Sequence, residues 1–274
     1  MRWVRFDDNG RPAFGVLRED RLYPASLTWA EILQGRPPRL EESIDARKAS
    51  LLAPLQRPGK IVAIGLNYRD HCREQKIDIP DSPLMFTKFT TAIANPGQTV
   101  RWSRQQTQRV DFEAELAVLI GRQARDVSPG EALGHVFGYT AANDVSARDL
   151  QFADGQWVRG KSLDTFCPLG PMLVTADEIP SPQNLSIRCR INGKTMQDSS
   201  TSEMIFPVAE LISFCSRWFT LEAGDLILTG TPHGVGMFRE PPLFLEDGDH
   251  MEVEIEGIGR LQNTCRVGSR KGGQ

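Results

Sequence analysis

The chain has no CxxC pair. Its five cysteines, Cys72, Cys167, Cys189, Cys215 and Cys265, are scattered along 274 residues. An odd number of isolated cysteines fits reduced thiols, and with them a cytoplasmic location. No stretch approaches the roughly 20 apolar residues that span a bilayer. The opening Met1-Arg2-Trp3-Val4-Arg5-Phe6 has no signal-peptide apolar region either, so no membrane association is expected. There is no basic stripe, and a net charge of −3 argues against nucleic acid as a partner. HExxH and Gly-x-Ser-x-Gly are both absent, against a zinc protease and a serine hydrolase. Internal repeats and low-complexity linkers are missing too. What is present is the balance of a globular protein, 40% hydrophobic and 24% charged, long enough for one large domain or two smaller ones.

Strand-like runs dominate. Residues 2–6 and 13–17 flank Asp7-Asp8-Asn9-Gly10, a hairpin signal, and 21–23 supplies a third short strand. Thr28-Trp29-Ala30-Glu31 reads as a capping box opening a short helix that Gly35 ends. Pro37, Pro38, Pro54 and Pro58 then punctuate the chain. This predicts a small β-rich N-terminal domain over 1–57 and a second domain over 58–274. In the second, 61–64, 116–120, 172–175, 187–191, 226–228 and 251–255 are the best strands. Helices are few: 207–219 has apolar residues at helical spacing, with Trp218 or Phe219 closing the buried stripe, and Ser128-Pro129-Gly130-Glu131 is a second capping box. The expected class is α+β, β-rich, a coiled sheet or barrel with helical trim. The last residues, to Gln274, read as a frayed end.

Chemistry concentrates in Asp111-Phe112-Glu113-Ala114-Glu115, which leads into an apolar run. Side chains at i and i+2 of a strand share a face, so Glu113 and Glu115 point the same way. Buried together they require a shared proton or a cation, and a hard divalent ion takes oxygen ligands. The competing reading is a solvent-facing strand edge. Asp144, after the small-residue stretch Gly138-Tyr139-Thr140-Ala141-Ala142-Asn143, precedes a helix start and offers a third carboxylate. Three carboxylates with positions left for water and substrate suit Mg²⁺ or Mn²⁺.

His71 and Glu74 are neighbours at i and i+3 on a helical turn, where the carboxylate would orient the imidazole and raise its basicity. The bland alternative is a surface pair. The polar stretch after Glu74 reads as a lid. Lys88, between Phe86 and Phe89, either snorkels to water or joins Lys161 as a cation for a substrate carboxylate or a developing enolate. Residues 226–236 form a strand running into a glycine-rich loop whose amides could make an anion nest. The loop is neither a GxGxxG fingerprint nor a Walker A, which excludes nucleotide binding, and His233 within it reads as solvent-facing.

Together these segments resemble the fumarylacetoacetate hydrolase family. The matching pieces stand in order over about residues 58–267. They are Gly65-Leu66-Asn67-Tyr68 with His71, Phe86-Thr87-Lys88, Asp111 to Glu115, Asn143-Asp144-Val145-Ser146-Ala147-Arg148-Asp149 with Gln151, Gly160-Lys161, and Thr229-Gly230-Thr231-Pro232. The resemblance implies a mixed β-roll-like fold, a homodimer, and Mg²⁺ or Mn²⁺ on Glu113, Glu115 and Asp144. It also implies a His71–Glu74 dyad on a lid, and Lys161, Arg148, Gln151, Lys88, Gly230 and Thr231 near a keto-acid substrate. The tract from Lys161 to Pro171 is similar to the bacterial sugar-acid and aromatic-catabolism branch.

That branch gives the expected activity, metal-dependent hydrolysis of a 2,4-diketo acid such as an acylpyruvate or a 2,4-diketo-3-deoxy sugar acid. The dyad would activate water against C4, releasing pyruvate as its enolate and a carboxylic acid. The same chemistry without attacking water gives the alternatives: oxaloacetate decarboxylation, keto–enol tautomerisation, or hydroxymuconate-type isomerisation. A non-catalytic binding protein is the third reading. Trp157, Phe152, Met237 and Phe238 are candidates for the pocket lining.

Overall fold

The computed structural model describes residues 1–55 and 57–268. The frayed end expected of the chain's last residues falls mostly on 269–274, outside the described residues. The hairpin signal is used as expected. Strands Arg2–Asp8 and Arg11–Arg18 pair across Asn9 and Gly10, whose φ of +52° and +85° are those of a tight primed turn. Both capping boxes form, Thr28 with Glu31 and Ser128 with Glu131. They open the short helices Trp29–Leu33 and Pro129–Ala132.

The architecture is mixed and strand-rich. A 12-stranded sheet runs from an edge at Ile44–Asp45 through Arg21–Ala25, Arg11–Arg18, Arg2–Asp8, Cys167–Thr175, Val136–Asn143, Ala114–Ile120, Leu226–Leu228 and Ile61–Gly65 to an edge at Leu84–Thr87. Two short strands pair off this path. The sheet has two ends and closes no barrel. Arg2–Asp8 pairs antiparallel with Cys167–Thr175, so the N-terminal strands continue the main sheet. A second sheet of five strands orders Lys194–Ser200, Ser186–Ile191, His250–Ile255, Gly259–Gly268 and Val100–Ser103.

Strand Ala114–Ile120 is buried on both faces, and its alternation serves two cores. Leu116, Val118 and Ile120 join the core shared with Ile187, Met251 and Val253 of the second sheet. Ala117 and Leu119 join the other core, with Trp3, Ile61 and Leu173. This is why the run reads as continuously apolar rather than alternating. Glu113 and Glu115 are in phase with Ala117 and Leu119, so the carboxylates stand at the entry of that second face.

Helix Val208–Trp218 follows the expected spacing, with Val208, Leu211, Ile212 and Cys215 buried. Of the two residues expected to close the stripe, Phe219 packs against the core and Trp218, at the end of the helix, is 68% exposed. Lys194–Ser200 and Gly259–Gly268 were not among the expected strands. Gly259–Gly268 alternates buried and exposed residues and Lys194–Ser200 is mostly polar, both weaker signals than a buried apolar run. All five cysteines are buried and unpaired, as reduced thiols require.

Candidate active site

The site is built where strand Ala114–Ile120 begins. Ligand oxygens of Glu113, Glu115 and Asp144 all lie within 4.8 Å of one another, and all three residues are buried. Backbone pairing sets this meeting: Ala114 stands opposite Asn143, and Asp144 N–H donates to Glu113 O at 2.9 Å. Asn143 adds its side chain, whose Oδ1 accepts the Glu113 N–H at 3.0 Å. The i, i+2 phase and the strand-end position of Asp144 therefore converge on one point.

Three buried cations surround the triad. Lys161 Nζ lies 2.7 Å from Glu113 Oε2 and 2.8 Å from Asp144 Oδ2. Lys88 Nζ donates to Asp144 Oδ1 and to Val145 O. Arg148 bridges Glu113 Oε1 at 2.6 Å and Asp111 Oδ2 at 2.9 Å. Glu115 is different. Among the described residues it has no ion pair, and Gly230 N–H donates to its Oε2 at 2.8 Å. Burial raises the Glu115 pKa well above the usual carboxylate range, and Asp144 and Glu113 push it further. Burial also acts to raise Glu113, but Lys161 and Arg148 outweigh it and hold this carboxyl below the usual range. Burial opposes the charge of Lys161, yet Asp144 and Glu113 more than restore it and raise its pKa.

The charge count tests whether a divalent cation fits. Asp111, Glu113, Glu115 and Asp144 place four carboxylates against three cations, with Glu115 left uncompensated. Oxygen-only donors that leave a buried negative excess are the donor set of a hard divalent ion. The residues present fit Mg²⁺ or Mn²⁺.

His71 Nδ1 lies 2.9 Å from Glu74 Oε2 on helix Arg69–Gln75. Glu74 Oε1 accepts Gly234 N–H at 2.8 Å. With the carboxylate accepting through both oxygens, Nδ1 carries the ring proton and Nε2 is left as the basic nitrogen. His71 is only 5% exposed, so this is not a surface pair. It lies on the wall of a cavity of about 280 Å³ together with Glu113, Arg148, Gln151, Lys161 and Thr231. Phe152, Trp157 and Phe238 line the same cavity.

Not every expected residue reaches that wall. Lys88 is sealed beneath Asp144 at 2% exposure, and Met237 gives only its backbone N–H, to Asp111. Gly230 directs its amide at Glu115. The glycine-rich loop does bind anions, but the anions are the protein's own carboxylates. His233 N–H donates to Asp70, Gly234 to Glu74, and Gly236 and Met237 to Asp111. The expected nest is thus a clamp that fixes the dyad and Arg148. The His233 ring is 3.3 Å from Asp198 O at the surface, consistent with a solvent-facing residue.

Three supporting residues had no role assigned from sequence. Asp111 orients Arg148 and closes an i, i+2, i+4 series with the two glutamates, a period that could have drawn attention to it. Gln197 accepts Ala114 N–H and donates to Thr231 Oγ1 and Pro232 O, all within 2.9 Å. Asn67 ties the Thr229 carbonyl to Phe206. Gln197 lies on a polar strand, and nothing local in its sequence points to the site.

A three-carboxylate centre with flanking lysines stands beside a His–Glu dyad at the start of a strand in a mixed open sheet, an arrangement that could hold a divalent cation next to a general base. The chain belongs to the fumarylacetoacetate hydrolase family: the family model described as fumarylacetoacetate (FAA) hydrolase C-terminal matches residues 60–266. A second model, Rv2993c-like, N-terminal, matches residues 1–54. The chain is 49% identical over 218 residues to the Bos taurus oxaloacetate tautomerase FAHD2A, mitochondrial, covering 79% of this chain and 69% of that one. A fumarylacetoacetate hydrolase structure from Exiguobacterium antarcticum superposes with TM-score 0.89 at 39% identity, covering 98% of this chain and 100% of the other. A Mycobacterium marinum structure described as a 2-hydroxyhepta-2,4-diene-1,7-dioate isomerase gives TM-score 0.84 at 36% identity, with the same coverage. Among the described residues no helix is long and apolar enough to cross a membrane.

Proposed function

We propose that this protein interconverts the enol and keto forms of a short 2-oxo dicarboxylic acid, with oxaloacetate as the leading substrate. The reading shifts the expected reaction from hydrolysis to tautomerisation, the alternative that needs the same centre but no attacking water. Its main support is the small cavity, about 280 Å³, that joins the dyad to the carboxylate centre, in a chain half identical to an oxaloacetate tautomerase. That volume is just below the usual range of roughly 300–1,000 Å³ for ligand sites and suits a four-carbon acid.

Glu113, Glu115 and Asp144 would hold a divalent ion, which would supply Lewis acidity for enolisation when bound. His71 Nε2 takes a proton from C3 of the keto form, and the same proton is delivered to the 2-oxygen to give the enol. Glu74 holds the imidazole in the required tautomer and stabilises its charged form. Arg148 and Lys161 face the cavity as the cations for the substrate carboxylates, and Gln151, bonded to Arg148 at 3.0 Å, fixes the guanidinium plane. Phe238, packed edge to face on the His71 ring at 5.8 Å, keeps bulk water from the transferred proton.

The test compares enol-oxaloacetate decay with pyruvate release from acetylpyruvate, each with Mg²⁺, with Mn²⁺ and after chelation. Metal-dependent acceleration of the enol decay, without pyruvate from acetylpyruvate, is the expected result. Pyruvate and acetate from acetylpyruvate with no effect on the enol decay would return the assignment to hydrolysis.

A further inference from the structure

Beside the catalytic cavity lies a larger groove of about 770 Å³, lined by Ile61, Val62, Leu84, Met85 and Phe219 among others. Phe86 and Trp157 line both spaces. They meet edge to face, ring centroids 5.3 Å apart, and so make a two-ring wall between the cavity that carries the charged residues and the groove beyond.

Trp157 is seated with little freedom. A Cβ added at Gly65 would stand 2.5 Å from its Cζ3 and 2.9 Å from its Cη2, so the six-membered ring rests directly on the Gly65 α-carbon. The two aromatic residues differ in what else they hold. The Phe86 ring lies under Lys161 Nζ at 5.2 Å and helps to hold that cation. Trp157 reaches the Lys161 helix only through its backbone carbonyl, which accepts Lys161 N–H at 3.0 Å. Its side chain can therefore be removed without breaking a hydrogen bond of the centre.

We infer that Trp157 sets substrate length: its indole confines the site to short dicarboxylates and shuts 2-oxo acids with apolar tails out of the groove beyond. This deepens the tautomerase reading and rests on it for the identity of the head group. The groove's wall is mostly apolar, with Lys60, Thr87 and Gln156 among its lining, so a chain passing the indole toward Ile61, Val62, Leu84 and Met85 would exchange water for apolar contact. Each buried methylene contributes about 0.8 kcal/mol, close to fourfold in affinity.

The experiment measures binding to the Mg²⁺-loaded protein by titration calorimetry. The probes are oxalate as the short head-group ligand and a series of 2,4-diketo acids with tails lengthening from methyl to hexyl. In the unmodified protein, affinity is expected to stay flat or fall with tail length. In Trp157→Ala it is expected to rise about two- to fourfold per added methylene, with oxalate affinity within about threefold of the parent. Trp157→Phe, which keeps a ring in the seat, should give a shallower rise and serves if the alanine variant does not fold. Equal length dependence in parent and variants, with oxalate binding intact, would overturn the inference. Enol-oxaloacetate decay is followed in parallel. A parent without tautomerase turnover, whose variant still gains tail affinity, would sink the substrate assignment and leave the length filter standing.

Discussion

Lys161→Met removes the cation that spans Glu113 and Asp144 while keeping the length of the side chain. Lys161 is 1% exposed, and its two bonds of 2.7 and 2.8 Å are direct. Without it the buried cluster holds four carboxylates against two cations. Breaking a buried pair by removing one partner costs about 3–5 kcal/mol. At roughly 2–4 °C per kcal/mol for a chain of this size, the metal-free melting temperature should fall by about 6–20 °C. Saturating Mg²⁺ or Mn²⁺ should recover part of this, since the ion meets one fewer competing cation. Its stabilisation of the variant should exceed that of the parent, itself about 2.7 kcal/mol at a hundredfold excess over Kd. Arg188→Met is the control: its pair with Asp198 is 40% and 55% exposed, and its loss should cost under about 1 kcal/mol. The assay is thermal unfolding of both variants after chelation and again with metal. A metal-free Lys161→Met melting point within about 2 °C of the parent, or a metal shift no larger than the parent's, would refute the charge argument.

Two further outcomes are expected. Glu74→Gln should lower kcat on enol-oxaloacetate by about a hundredfold or more, because His71 loses the carboxylate that fixes its tautomer; the metal-induced melting shift should be unchanged. Acid should destabilise the outer sheet through Arg190, which bonds Glu252 at 2.5 Å and Glu254 at 2.7 Å. Burial raises Glu252, but hydrogen bonds from Gln262 and Arg190 outweigh it; hydrogen bonding from Arg190 chiefly lowers Glu254. Folded-state pKa values below the unfolded ones mean stability that is full at neutral pH and drains as pH falls below about 4.3. Arg190→Gln should flatten this acid limb in pH-dependent urea unfolding and cost up to about 1 kcal/mol at pH 7.

Local grammar made much of the molecule legible. Asn9-Gly10 specified a primed turn, and the structure uses it with both φ values positive. Thr28/Glu31 and Ser128/Glu131 specified reciprocal caps that form as written. Asn192-Gly193, with φ of +50° and +78°, joins Ser186–Ile191 to Lys194–Ser200 by the same turn chemistry, so half of that missed hairpin was also encoded locally. Its second strand escaped notice because Lys194, Thr195, Gln197 and Asp198 blur the alternation that marks a half-buried strand.

By itself the sequence determined which short segments turn, cap and extend, since these depend on backbone sterics and on bonds between residues a few positions apart. It also determined that Glu113 and Glu115 share a face, since a strand has period two. Only the tertiary structure decided that Asp144 joins them, through antiparallel pairing of Ala114 with Asn143, and that Arg148 and Lys161 arrive from two short helices, Arg148–Ala153 and Val158–Lys161, to balance the charge. Tertiary structure alone turned the glycine-rich loop inward, giving its amides to Glu74, Glu115 and Asp111 rather than to a ligand. It also raised Trp157 as a wall against Phe86 on the bare α-carbon of Gly65. The physical reason is common to all of these. Buried charges and ring contacts are settled by which distant segments share a desolvated space, and sequence spacing carries no measure of that distance.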